Sequence, residues 1–220
     1  MQANQFLQLI LKGTEETLYM TLVSTVFAYV FGIPLGVILS ITDRDGICCY
    51  KPVNMVLGII VNLARSVPFI ILLVAILPFT RTVVGTTIGS TATIVPLSVA
   101  AIPFVARMVE SSLKEVEKGV IEAALAFGSS PIQIISKVLL PEAKPSLIVG
   151  SAIAVTTILG YSAMAGFVGG GGLGALAINY GYYRYNKEIM LGTVTLLVII
   201  VQILQETGMR IAGKTDKRKL

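Results

Sequence analysis

The chain alternates long apolar runs with short polar stretches, and five of the runs approach the roughly 20 residues that a helix needs to cross the hydrocarbon of a bilayer. They lie at about 17–41, 55–80, 88–109, 145–168 and 189–209. The first contains no charge and carries Gly32, Pro34 and Gly36, which predicts a helix kinked near its end. The second is interrupted by Arg65, and the third holds Pro96 and Pro103. An odd number of spans puts the two termini on opposite sides of the membrane.

Between the third and fourth runs, about 111–144, the pattern changes from continuous apolar to amphipathic. Val116, Val120, Ile121, Ala124 and Leu125 predict one helix over Ser112–Phe127 with an apolar stripe. Gly128 should end it, because a residue without a Cβ enters the left-handed conformation after a helix end at no steric penalty. Directly afterwards Ser130, Pro131 and Gln133 read as N-cap, first helical residue and capping-box partner of a second helix. Its apolar face is Ile134, Ile135, Val138 and Leu139, and Pro141 is expected to close it. Two short helices joined by a forced turn make a projecting knob, a shape suited to a groove on a partner.

Composition agrees with a bilayer as solvent: 55% of the 220 residues are hydrophobic, 13% are charged and the mean hydropathy is +0.84. The polar segments are too short to bury a core of their own, so residues 1–220 are expected to form a single transmembrane domain. The net charge of +5 speaks for orientation, not for nucleic acid. With the N-terminus outside, basic residues crowd the inner segments, from Arg44 and Lys51 through Arg107, Lys114, Lys118, Lys137 and Lys144 to the tail at Arg210–Lys219. Only Lys12, Arg81, Arg184 and Lys187 fall outside. That bias places the knob and the C-terminus in the cytoplasm, with the tail residues Lys217, Arg218 and Lys219 attracting anionic headgroups. The adjacent Cys48 and Cys49 have no spaced partners and read as reduced thiols in a cytoplasmic turn. The opening residues lack the basic start and cleavage site of a signal peptide.

Three further stretches carry candidate chemistry. Arg65 is an ionisable residue in an apolar run, a structural or gating candidate; Pro68, three residues on, favours a helix start near Arg65 and an interfacial depth. The fourth span is rich in Gly, Ala and Ser, which permits close helix packing, and its Thr156, Thr157, Tyr161, Ser162 and Met164 are candidates to line a mildly polar path. After it, Gly169–Gly174 lacks the Lys-Ser or Lys-Thr of a phosphate loop and reads as a flexible outer loop. Tyr180, Tyr182, Tyr183 and Tyr185 beside Arg184 suit an interfacial aromatic belt. With no Walker motif, no His, no metal-ligand cluster and no nucleophile–base pair, the chain is expected not to be an enzyme by itself.

The knob resembles the EAA loop of ATP-binding-cassette importer permeases. Glu122-Ala123-Ala124 is followed after three residues by Gly128 and after nine more by Val138-Leu139-Leu140-Pro141, with Val138 where the family pattern has Ile. Arg65-Ser66-Val67-Pro68 is similar to a stretch at the same place in amino-acid permeases of that family, and the runs IVPLSVAAIPFVARMVE and GYSAMAGFVGGGGLG look like the permease of methionine importers. The resemblance extends from about Thr14 to Ala212. It implies an all-α integral membrane protein of the type I importer permease fold, with five transmembrane helices and a cytoplasmic coupling-helix loop between spans three and four. It implies that Glu122, Ala123, Ala124, Gly128, Ser129, Ser130, Pro131 and Pro141 couple to an ATPase. It also implies a multi-pass homodimer in the bacterial cytoplasmic (inner) membrane, two ATP-binding-cassette ATPase subunits, and an extracytoplasmic methionine-binding protein or lipoprotein. ATP and Mg would sit on the ATPase and no cofactor on this chain. The implied cargo is L- and D-methionine. Another amino acid or small organic solute is the alternative within the class, and an autonomous channel or ion-coupled carrier the alternative outside it.

Overall fold

The structure is a computed structural model and describes residues 3–215, with side chains from Phe6 onward; Lys217, Arg218 and Lys219 lie outside the described residues. Among the described residues every regular element is helical. In chain order they are α1 (Ala3–Ile41), α2 (Lys51–Ser66), α3 (Phe69–Ala75), α4 (Leu77–Val84), α5 (Ser90–Lys114), α6 (Lys118–Ala126), α7 (Pro131–Ile134), a π-helical turn at Ile135–Leu139, α8 (Leu140–Glu142) and α9 (Lys144–Ala165). A 3-10 turn (Gly166–Val168), α10 (Gly172–Leu176), a second π-helical turn (Ala177–Tyr182) and α11 (Lys187–Thr215) complete the chain.

Among the described residues, four helices are long and apolar enough to cross a membrane: Phe6–Ile41, Ser90–Lys114, Lys144–Val168 and Lys187–Thr215. The pair Lys51–Ser66 and Phe69–Ala75, bent by 99° at its break, makes a fifth if it is one span. The continuous second run of the sequence is therefore two helices. Pro68 explains the break: it cannot donate the hydrogen bond that would carry α2 onward, and it restrains Val67 to extended backbone. The first run behaves in the opposite way, as α1 continues unbroken through Pro34.

The chain divides into two compact units. The first comprises the chain up to Ala28 with Val67–Ala101 and Ala154–Gln205, and the second comprises Tyr29–Ser66, Ile102–Ile153 and the chain from Glu206. Within the second, Gly32 and Gly36 lie against α5 so closely that a Cβ on either would meet the Val105 side chain or the Ala106 carbonyl oxygen at 2.7 and 2.5 Å. One turn apart on the same face, they let two backbones approach where apolar lipid gives no drive for association. Within the first, Ser24 donates to the Ile94 carbonyl of α5. Large apolar side chains of α1 and α11, among them Val26, Phe31, Leu191 and Ile203, are exposed, as lipid-facing surface should be.

Candidate functional site

The knob at Lys118–Glu142 is built almost entirely from local signals. α5 stops at Lys114 and α6 starts at Lys118, so the single helix expected over Ser112–Phe127 is in fact two. The charges suit that division: Lys114 lies in the last turn of α5, where carbonyls are unpaired, and Glu117 is the N-cap of α6, where N–H groups are. α6 ends in a Schellman motif. The Ser129 N–H donates to the Ala124 carbonyl (3.1 Å) and the Gly128 N–H to the Leu125 carbonyl (2.9 Å), with Gly128 at φ +73°. The turn conformation expected of Gly128 is present, and a Cβ there would meet nothing within 4 Å.

The restart also follows the expected chemistry. Gln133 N–H donates to Ser130 Oγ (3.4 Å) and Ser130 N–H donates to Gln133 Oε1 (2.8 Å), a complete capping box with Pro131 in the first turn. Pro141, by contrast, does not close the second helix. The chain widens to a π-helical turn at Ile135–Leu139 and then continues through Leu140–Glu142, with Pro141 inside that last turn. A π turn relieves the conflict between a proline ring and the carbonyl four residues earlier, so the proline is accommodated without a stop. Glu122, Ala123, Gly128, Ser130, Pro131 and Pro141 are exposed, Ala124 and Ser129 half-buried. Phe127 is 90% exposed and Ile132 77%, on the two sides of the Gly128 turn. Neither side chain is covered by the chain itself.

The path candidates of α9 divide by burial. Tyr161 stacks on Phe69 with ring centroids 4.6 Å apart and planes 5° from parallel. Ser162 is buried and its hydroxyl donates to the Leu159 carbonyl (2.8 Å), so it packs with its polar atom turned back onto its own helix. Thr156 and Thr157 are half-buried and Met164 is exposed. Arg65 stands in the last turn of α2, exposed, and not at the start of the helix after it. A cation there complements the negative end of the helix.

Gly169–Gly174 is packed. Gly170, Gly172 and Gly174 are buried, Glu16 Oε2 accepts from the Gly172 N–H (2.7 Å), Thr17 Oγ1 accepts from the Leu173 N–H (2.8 Å), and the Thr93 hydroxyl reaches the Gly170 carbonyl (3.3 Å). The glycines serve close approach: a Cβ on Gly174 would collide with the Ala163 carbonyl oxygen. Sequence reading missed Glu16 and Thr17 as holders of this loop, and their position at the polar start of the first span was the available signal.

The Binding-protein-dependent transport system inner membrane component family model matches residues 32–205. A probable D-methionine transport system permease protein, MetI, of Vibrio cholerae is 51% identical over 210 residues, covering 96% of this chain and 93% of that protein. The D-methionine transport system permease protein MetI of Escherichia coli K12 is 51% identical over 158 residues, 72% of this chain and 73% of that one. Among solved structures, a chain of the MetNI methionine ABC transporter in inward-facing conformations superposes with a TM-score of 0.96 at 47% identity, over 98% of this chain and 100% of that one.

Proposed function

The chain belongs to the family of inner-membrane components of binding-protein-dependent transport systems, and from that membership we propose that it carries methionine, L- and D-, across the membrane by alternating access. It is the permease subunit of an ATP-binding-cassette importer, a multi-pass protein of the inner membrane. The observation that carries the cargo is the 47% identity and 0.96 TM-score to the methionine transporter over nearly the whole length of both chains.

In this reading the chain acts as a homodimer and has no catalytic step of its own. Two partner ATPases hold ATP and Mg, and an extracytoplasmic methionine-binding protein or lipoprotein delivers cargo from above, the N-terminus lying outside and the C-terminus inside. Glu122, Ala123, Ala124, Gly128, Ser129, Ser130, Pro131 and Pro141 form the ATPase-coupling loop, supported by the exposed Phe127 and Ile132 beside the Schellman turn. Closure of the ATPase pair on nucleotide displaces both knobs, and nucleotide drives the change only because it binds one state better than the other. Thr156, Thr157, Tyr161 and Met164 line the path, with Ser162 behind them as packing. Arg65 has a structural role at the end of α2.

The test is accumulation of labelled L-methionine in cells lacking their own methionine uptake, expressing this chain with its ATPase and binding protein. Uptake against a gradient is expected, and Gly128→Trp should insert normally yet abolish it, since the indole fills the open side of the turn that meets the ATPase. Normal uptake by that variant would overturn the docking role. ATP hydrolysis with no methionine uptake would keep the importer class and replace the cargo.

A further inference from the structure

Between α5 and α6 the helical path is interrupted at Glu115, Val116 and Glu117. An interruption at the root of the knob is a joint, and a joint that swings absorbs a displacement instead of passing it on. Val116, buried, pins its middle. Two ion pairs then bracket it. On the α5 side Lys114 Nζ lies 2.6 Å from Asp43 Oδ2, and on the α6 side Lys118 Nζ lies 2.9 Å from Asp45 Oδ2. Both carboxylates come from the one short loop that joins α1 to α2, so that loop is fastened to both sides of the joint.

The loop is stiff enough to act as a strut. Gly46 N–H donates to the Asp43 carbonyl, Cys48 N–H to Ile41 and Tyr50 N–H to Thr42, at 3.0, 3.0 and 3.1 Å. The Asn54 amide of α2 donates to the Leu39 carbonyl (2.7 Å) and to Thr42 Oγ1 (3.2 Å), tying the end of α1 to the start of α2. Lys114 is held from its other side by Glu110 Oε1 (2.9 Å), and the buried Glu110 also takes Arg107, whose guanidinium donates to the Gly58 carbonyl (3.1 Å) and Asn62 Oδ1 (2.9 Å) of α2. A cavity of about 200 Å3 lies between loop and joint, lined by Ile41, Asp43, Asp45, Lys114, Lys118 and Ile121. The two ion pairs therefore reach across space that the surrounding apolar side chains leave open.

We propose that Asp43 and Asp45 form an ionic splint across the α5–α6 joint and are positioning residues for coupling, making knob, α1 end and α2 move as one body. This rests on the assignment of the knob as the ATPase-docking loop. The Lys114 hydrogen bond holds the Asp43 carboxyl below its ordinary range, and the Asp45 hydrogen bond raises the Lys118 ammonium, so each bond favours the charged form of the group it holds. Exposed ion pairs contribute little to stability, and the readout is accordingly coupling, not folding.

The experiment is the number of labelled methionine molecules imported per ATP hydrolysed by the complete transporter reconstituted in liposomes. Asp43→Asn combined with Asp45→Asn should lower that ratio at least threefold. Asp45→Lys, which sets like charges face to face, should lower it further, and adding Lys118→Asp should return it to within twofold of the Asp45-containing parent. Recovery on exchanging the charges shows that the pair, and not either side chain alone, sets the ratio. A merely structural loss would instead reduce the amount of active complex, lowering import and ATP hydrolysis together and leaving the ratio unchanged. An unchanged ratio in the neutral double variant, or no recovery on exchange, overturns the splint. With Gly128→Trp run alongside, normal import by that variant brings down the docking assignment itself, whereas its uncoupling together with an unaffected neutral variant brings down the splint alone.

Discussion

The knob at Lys118–Glu142 and the glycine loop at Gly169–Gly174 are both short connections between long helices, and they are built by opposite means. The turns of the knob are held by partners three to five residues away in sequence, in a Schellman turn, a capping box and a π turn that admits Pro141, while its root at Lys118 is tied to Asp45 of the α1–α2 loop. Its apolar side chains at Phe127 and Ile132 are left uncovered. The glycine loop is held by residues far away in sequence, Glu16 and Thr17 of α1 and Thr93 of α5, and three of its glycines are buried. A self-sufficient turn keeps its shape while its outer face is free to meet another protein. A loop that borrows its partners from other helices is fixed only where those helices are, and has no free face. Gly128 and Gly174 thus do different work: the first supplies a left-handed backbone in open space, the second the room for a backbone to pass.

Alanine at these two positions sharpens the contrast most. Gly174→Ala drives a Cβ into the Ala163 carbonyl and backbone, atoms that cannot rotate away, and should cost about 3 kcal/mol or more. Gly128→Ala meets no atom and carries only the left-handed penalty, roughly 1–2 kcal/mol, felt in the turn itself. Thermal melting of the purified complex measures both. A larger loss of melting temperature at Gly128 than at Gly174 would reverse the assignment of open and crowded glycines.

Thr17→Val is expected to rank below Gly174→Ala and beside Gly128→Ala. It keeps the shape of the side chain but leaves the buried Leu173 N–H without its acceptor, a loss of about 1–3 kcal/mol. Since the bond joins residues 156 apart in sequence, the loosening should appear in hydrogen exchange at Gly172–Leu176, an element whose own sequence is unchanged. Unaltered exchange there would mean that the glycine loop holds itself.

The same contrast explains what was legible in the sequence. Gly128, Ser130, Pro131 and Gln133 announced the knob because caps and left-handed glycines are decided within a few residues. The family pattern announced the permease class for the same reason, as Glu122 to Pro141 is one uninterrupted stretch. Span lengths followed from apolar runs. What escaped was whatever depends on pairing across the chain. Gly169–Gly174 read as flexible because glycine permits both freedom and close approach, and only Ala163, Glu16 and Thr17 decide between them. The joint at Glu115–Glu117 was hidden inside a helical pattern, because Val116, which lies in the break, keeps the period of the α6 stripe from Val120 to Leu125. Pro141 read as a stop because a π turn leaves no mark in the sequence.

The smallest expected effect belongs to Ser130→Ala. It removes the acceptor for the Gln133 N–H, while the reciprocal bond from the Ser130 backbone N–H to Gln133 Oε1 survives, since that donor is not part of the side chain. The site is exposed, so water satisfies the freed N–H in part, and the loss should be about 1 kcal/mol. Because the partners of Ser130 are local, faster hydrogen exchange should be confined to the amides of Gln133 and Ile134, with exchange in α5 and α9 unchanged. Should the disturbance spread into those helices, the knob would not be self-sufficient, and the two connections would differ in degree of exposure alone.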